Sequence, residues 1–266
     1  MSDSIKLYTM LNMEDAVVDS ATSEATGFPK ENIIDNNPDQ WWKPTSAATQ
    51  TIDIDLQEAK TVDYIVLFVH NYKSLATSVT IMAKYSSDDS TYNNAFSSPV
   101  SIHSQVKGPI RLKEITETSD PYRYWRFEIT IGSTVPEISL LACCQEFDIG
   151  QFNEWPENDL DNPHILTIPG GSGYKHHIRK RRNSSKIFIR EFLISGNTNY
   201  NALRDAWIDS GNGTMPLVYQ PGDSYFDAYL VQFDGSPFPK NESNHLIYKP
   251  KIVLEQLPFL DDGDSY

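Results

Sequence analysis

Two stretches concentrate the side chains that can do chemistry. The first is Asn32–Trp42, NIIDNNPDQWW. Asp35, Asn37 and Asp39 put oxygen donors at alternate positions there, a pattern that can hold a structural Ca²⁺. They do not complete an EF-hand loop, because neither its Gly nor its closing Glu is in place. Asn, Asp and Pro make the stretch a tight loop. Of two consecutive Trp residues, one can point into a core while the other turns outward. An outward Trp41, with Asp39 and Gln40 beside it, is a platform that stacks on a sugar ring or anchors a protein contact.

The second stretch is Lys175–Arg182, KHHIRKRR, with five permanent positive charges in eight residues of a net-acidic chain. Its bland reading is a solvated loop or hairpin arm. Its functional reading is a subunit interface, in which Lys175, His176, His177, Arg179, Lys180, Arg181 and Arg182 meet the acidic face of a neighbouring copy. The vicinal pair His176-His177 is a poor metal site, since neighbouring imidazoles on a strand splay to opposite faces.

Catalytic signatures are missing. The sequence has no GxSxG, HExxH, Walker A, GxGxxG or CxxC. Gly170-Gly171-Ser172-Gly173 lacks the Lys-Ser/Thr that a phosphate loop needs. The expectation is a protein that is not an enzyme and has no cofactor beyond that calcium. With 22 Lys+Arg against 36 Asp+Glu the net charge is −14, which disfavours nucleic acid as a partner. No run of about 18 apolar residues is present to span a membrane. The N-terminus has no basic n-region and acquires acids too early for a signal peptide. Cys143 and Cys144 are adjacent, which predicts one buried and one exposed thiol and no disulfide between them.

The elements that must position these residues are strands. Short apolar runs are separated by Gly, Pro, Asn, Asp and Ser clusters. Strands are predicted at Gln50–Leu56, Tyr64–His70, Ser78–Tyr85, Pro99–Ser104, Ile110–Ile115, Tyr124–Ile131 and Ile138–Ile149. In QTIDIDL, Ile52, Ile54 and Leu56 share one face, and in YWRFEITI so do Trp125, Phe127, Ile129 and Ile131. Gly150–Pro169, with Pro156, Pro163 and Pro169, reads as a linker. Beyond it, strands are expected at Lys186–Ser195, Met215–Gln220, Tyr225–Phe233 and His245–Gln256. One helix is expected over Asn199–Ser210, capped by Asn199 and stopped by Gly211. The fold class is all-β: a jelly-roll sandwich over residues 1–149 and a β-sandwich or barrel with one flanking helix over residues 150–266.

Residues 1–149 resemble a discoidin-like (F5/8 type C, galactose-binding-like) domain. The residues that carry the likeness are Ile34–Trp42, the strand Thr51–Leu56, Val62–Asn71, Tyr122–Ile131 and the closing strand Ile138–Ile149, in the family's order and spacing. Asn36 stands where the family has Gly, and Gln40 where it has Thr. The resemblance implies that Trp42 is the core Trp and Trp41 its variable neighbour, and that loops at one end of the barrel take any ligand. Residues 151–266 resemble a bacteriophage tail protein of the distal-tail or tail-tube-related type, through the basic loop at 174–186, the strand Lys186–Ser195, the helix, Met215–Tyr219, the PGD turn and Tyr229–Phe233. That likeness implies a virion tail subunit made in the host cytoplasm, near the tip or baseplate. It would close with itself into a trimeric or hexameric ring and contact other tail proteins. The alternative is a glycan-binding module or adhesin that meets a host surface glycan through Trp41.

Overall fold

The computed structural model describes residues 5–11, 15–35, 37, 39–75, 79–102, 110–150, 158–162, 165–169, 175–179, 185–191, 194–195, 197–220, 228–237, 247–248 and 251–256. In chain order the first ten strands are β1 (Ile5–Met10), β2 (Val17–Ala21), β3 (Gln50–Lys60), β4 (Tyr64–Val69), β5 (Thr80–Ser86), β6 (Asn93–Asn94), β7 (Val100–Ser101), β8 (Ile110–Glu114), β9 (Tyr122–Thr130) and β10 (Ile138–Gly150). Then come β11 (Asn158–Asn162), β12 (Ile165–Pro169), β13 (Lys175–Arg179), β14 (Ser185–Glu191), β15 (Ile194–Ser195), α1 (Asn197–Asp209), β16 (Leu217–Gln220), β17 (Tyr229–Phe233), β18 (Ile247–Tyr248) and β19 (Lys251–Gln256).

A nine-stranded sheet runs in the order β11-β14-β19-β17-β16-β1-β10-β4-β8. A second sheet runs β2-β3-β9-β5-β6, with β7 also paired to β5. The two sheets face each other over one core. Ile52, Ile54, Trp125, Phe127 and Ile129 come from the smaller sheet, and Ile65, Leu67, Leu141 and Cys143 from the larger. The alternation read from QTIDIDL and YWRFEITI therefore points its apolar set inward.

β1 went unrecognised in the sequence, and it is the strand that joins the two halves. It pairs antiparallel with β10 on one side and with β16 on the other. The large sheet is thus continuous across position 150, at the end of β10. Its inner face has two covers. The smaller sheet lies over Ile65, Leu141 and Cys143. Helix α1 lies over Leu7, Phe147, Ile149, Leu217 and Tyr219, through Leu203 and Ala206.

Four expectations are corrected. Cys143 and Cys144 do lie on opposite faces of β10, but both are fully buried. Both faces of that strand are covered, with Cys143 in the inter-sheet core and Cys144 packed among Tyr8, Tyr64 and Val66 on the outer side. The segment read as a linker contains β11 and β12, because Pro at a strand end or an edge is compatible with pairing. Helix α1 starts at Asn197, so Asn199 lies inside it and is not its cap. The basic stretch read as a loop begins as a strand, β13, paired with β12. The stop at Gly211 stands, since its φ is +61° and its N–H donates to Ile208 O at 2.9 Å.

Candidate functional site

The loop from η-turn Lys30–Ile33 to Trp42 is tied to the start of β10. Trp42 and Ile138 exchange both backbone hydrogen bonds, at 2.8 and 3.0 Å. Trp42 is fully buried, and its Nε1 donates to Ser23 O at 3.0 Å. Because Trp42 points into the core, Trp41 must leave the core. It does so only in part, and is half-buried.

Trp41 stacks on Phe28, with centroids 5.5 Å apart and 24° between planes, and meets the His70 ring at 4.7 Å. His70 in turn touches Phe68 at 5.4 Å. The outcome is an aromatic shelf shared by several rings, in place of the single outward platform expected. The Trp41 carbonyl accepts from Asn32 Nδ2 at 2.9 Å, which fixes the loop behind the ring. The Trp41 indole N–H is buried and has no acceptor among the described residues.

Polar groups rim this shelf. Lys43 Nζ sits 5.8 Å from the Phe28 centroid and 2.6 Å from Glu137 Oε1. Glu137 N–H donates to Asn71 Oδ1 at 2.9 Å, and Asn71 Nδ2 donates to Val135 O at 2.8 Å. Gln40 is exposed and Asp39 half-buried. From β8, the buried Arg111 lies 5.3 Å from the Tyr72 ring, and burial lowers its guanidinium to about 10, so it stays charged at neutral pH. Phe28, Lys43, His70, Asn71 and Glu137 were not singled out from sequence. His70-Asn71 directly after a strand was the one signal available for two of them.

Asn37 Oδ1 is engaged by the Asp39 N–H at 3.1 Å, and Asn37 O by the Gln40 N–H at 3.1 Å, so this loop closes on itself as an Asx turn. Asp35 is exposed. Among the described residues, no three His, Cys, Asp or Glu side chains gather to hold a metal ion. Of the basic stretch, Lys175, His176, His177 and Arg179 lie on β13, which pairs with β12 from Ile165↔Arg179 to Pro169↔Lys175. Lys180, Arg181 and Arg182 lie outside the described residues. Among the described residues, no helix is long and apolar enough to cross a membrane.

Two facing sheets, a core Trp bridged to the start of β10 and a long closing strand at 138–150 make a β-sandwich. Residues 18–141 match the F5/8 type C domain family. No curated protein matches the chain. Among solved structures it is similar to the family 32 CBM from C. perfringens NanJ in complex with galactose, at 14% identity and TM-score 0.43, over 52% of this chain and 99% of that one. The CBM32 of AlyQ in complex with 4,5-unsaturated mannuronic acid is similar at 23% identity and TM-score 0.39, over 51% and 95%. A chitosan-binding module from a chitosanase/glucanase of Paenibacillus sp. IK-5 is similar at 17% identity and TM-score 0.41, over 52% and 99%. These likenesses lend no support to the tail-subunit expectation.

Proposed function

We propose that the chain is a glycan-binding module whose N-terminal domain takes a sugar at the Phe28–Trp41 shelf. The observation that supports this best is the half-buried Phe28–Trp41 stack at the loop end of an F5/8 type C domain, with polar groups along its edge. A pyranose offers one face of C–H groups and a rim of hydroxyls. The aromatic rings take the first, and Gln40, Lys43 and Glu137 can exchange hydrogen bonds with the second. Exposed Gln40 and partly exposed Lys43 are the groups a ligand reaches first. The test is titration calorimetry against a panel of neutral, acidic and amino sugars, with Phe28→Ala and Gln40→Ala beside the wild type. Binding that falls at least tenfold in Phe28→Ala, in a protein with an unchanged circular dichroism spectrum, supports the reading.

A second reading concerns the C-terminal half: a ring-forming virion tail subunit that meets its neighbour through the basic arm. It is favoured by one feature, that β12 and β13 form a two-stranded sheet of their own. An arm with Lys175 and Arg179 on it suits an acidic partner surface, and this chain is itself acidic. Light scattering in low and high salt tests it, since a closed oligomer held by such contacts dissociates as salt rises.

A further inference from the structure

We infer that a second ligand site lies in the seam between the smaller sheet and helix α1, and that it takes an amino sugar. The seam is a groove of about 580 Å³, within the roughly 300–1,000 Å³ range of ligand clefts. It lies where the two covers of the large sheet's inner face, the smaller sheet and helix α1, border each other among the described residues. On that face β1 carries Leu7 and Thr9, followed by Leu11 just past its end, and β10 carries Cys143, Gln145 and Phe147. Leu7 and Phe147 pair beneath the helix. Thr9 and Gln145 pair one step further on, where the chain turns polar and the groove opens.

Thr9 is 2% exposed and lines the groove, yet its hydroxyl has no hydrogen-bond partner among the described residues. A buried hydroxyl left so is costly, and a ligand hydroxyl in the groove would satisfy it as donor or acceptor. The walls set the charge. On one side a bulge in β3 lets Asp55 pair with Tyr124 while Lys60 pairs with Tyr122, with Gln57 at φ +65°. That bulge carries Glu58 to the groove, 3.5 Å from Lys60 Nζ, with its side chain 74% exposed. On the other side stand Ile208, 49% exposed, and Asp209, the last residue of α1. Carboxylates stand on both walls, Glu58 beside Lys60 on one and Asp209 on the other, and with the negative end of the helix dipole this lining suits a cation better than an anion. Ile208 supplies an apolar surface for a sugar ring. A hydroxyl-rich ring bearing an ammonium fits all of these.

β10 separates this site from the aromatic shelf. Trp41 and Trp42 sit by Ile138 and the groove floor by Gln145, about 20–25 Å further along the strand. The inference therefore does not rest on the shelf. The experiment is calorimetric titration of the full chain with glucosamine oligosaccharides, with galacturonate oligosaccharides as the acidic counterpart. The wild type is expected to bind the amino sugar with saturable heat. Thr9→Val and Glu58→Gln are each expected to weaken it about five- to tenfold, and the acidic sugar is expected to bind more weakly than the amino sugar. No heat with glucosamine oligosaccharides overturns the proposal, as does wild-type affinity in both Thr9→Val and Glu58→Gln. Loss in Phe28→Ala alone would place the sugar on the shelf and overturn the groove while sparing the proposed function.

Discussion

Trp42 and Ile138 hold each other through two backbone hydrogen bonds, and the site is built outward from that pair. One residue earlier on the same edge, Glu137 accepts the His70 N–H at 2.8 Å. Trp42 and His70, next to and within the aromatic shelf, are therefore tied to Ile138, the first residue of β10, and to Glu137 just before it. Adjacent tryptophans consequently have separable roles. Trp42→Ala empties a fully buried site and is expected to cost about 3–5 kcal/mol in urea unfolding. A cost below about 1 kcal/mol would mean that Trp42 is not a core residue.

Acid should weaken the domain through Asp55. Arg123 donates to it from Nε and Nη2, both at 2.7 Å, and these hydrogen bonds hold its carboxyl below the ordinary value against the opposing effect of burial. A depressed carboxyl adds stability above its unfolded value of about 4 and loses it as pH falls through the lower folded value. Urea midpoints measured from pH 6 to pH 2 should drop below about pH 4. In Asp55→Asn the midpoint should be lower at neutral pH, by an amount equivalent to about 1–3 kcal/mol of stability, and that part of the drop should vanish. An identical pH profile in the variant would contradict the assignment.

Neither cysteine should react in the folded protein. Burial pushes both thiols up, and neither has a surface to present to a reagent. Titration with a chromogenic disulfide should find no thiol in native buffer and both in guanidinium. One thiol reacting promptly in native buffer would mean that one face of β10 is open.

The groove hydroxyl also makes a stability prediction that needs no ligand. Thr9→Val swaps an unsatisfied buried hydroxyl for a methyl of the same shape, so thermal unfolding should occur at the same or a higher temperature. A loss of more than about 1 kcal/mol would show that Thr9 has a hydrogen bond within the fold.

Period-2 alternation found the strands that are half-buried or pack face to face, such as Gln50–Lys60 and Tyr122–Thr130, to within a few residues at their ends. It failed at Ile5–Met10. IKLYTM alternates, but both of its faces are buried, so the polar positions Lys6 and Thr9 blur the signal. The cysteines were misread for the same reason, because a strand covered on both sides has no wet face for the second thiol. In the site, Trp41 and Trp42 were legible as a pair with opposed directions. Phe28, Lys43 and Glu137 were not, since Lys43 and Glu137 lie 94 positions apart and meet only because the Trp42–Ile138 bridge brings the loop to β10. The seam groove is equally invisible in sequence, for its walls come from β3 and α1 and its floor from β1 and β10.

The central claim is that the Phe28–Trp41 shelf takes a sugar, and calorimetric titration of wild type and Phe28→Ala against the sugar panel tests it most directly. The account predicts saturable heat with at least one sugar in the wild type and at least a tenfold weaker Kd in Phe28→Ala, with thermal unfolding of the variant lowered by about 1 kcal/mol or less. A panel that gives no heat, or a Phe28→Ala protein that binds as the wild type does, would contradict it.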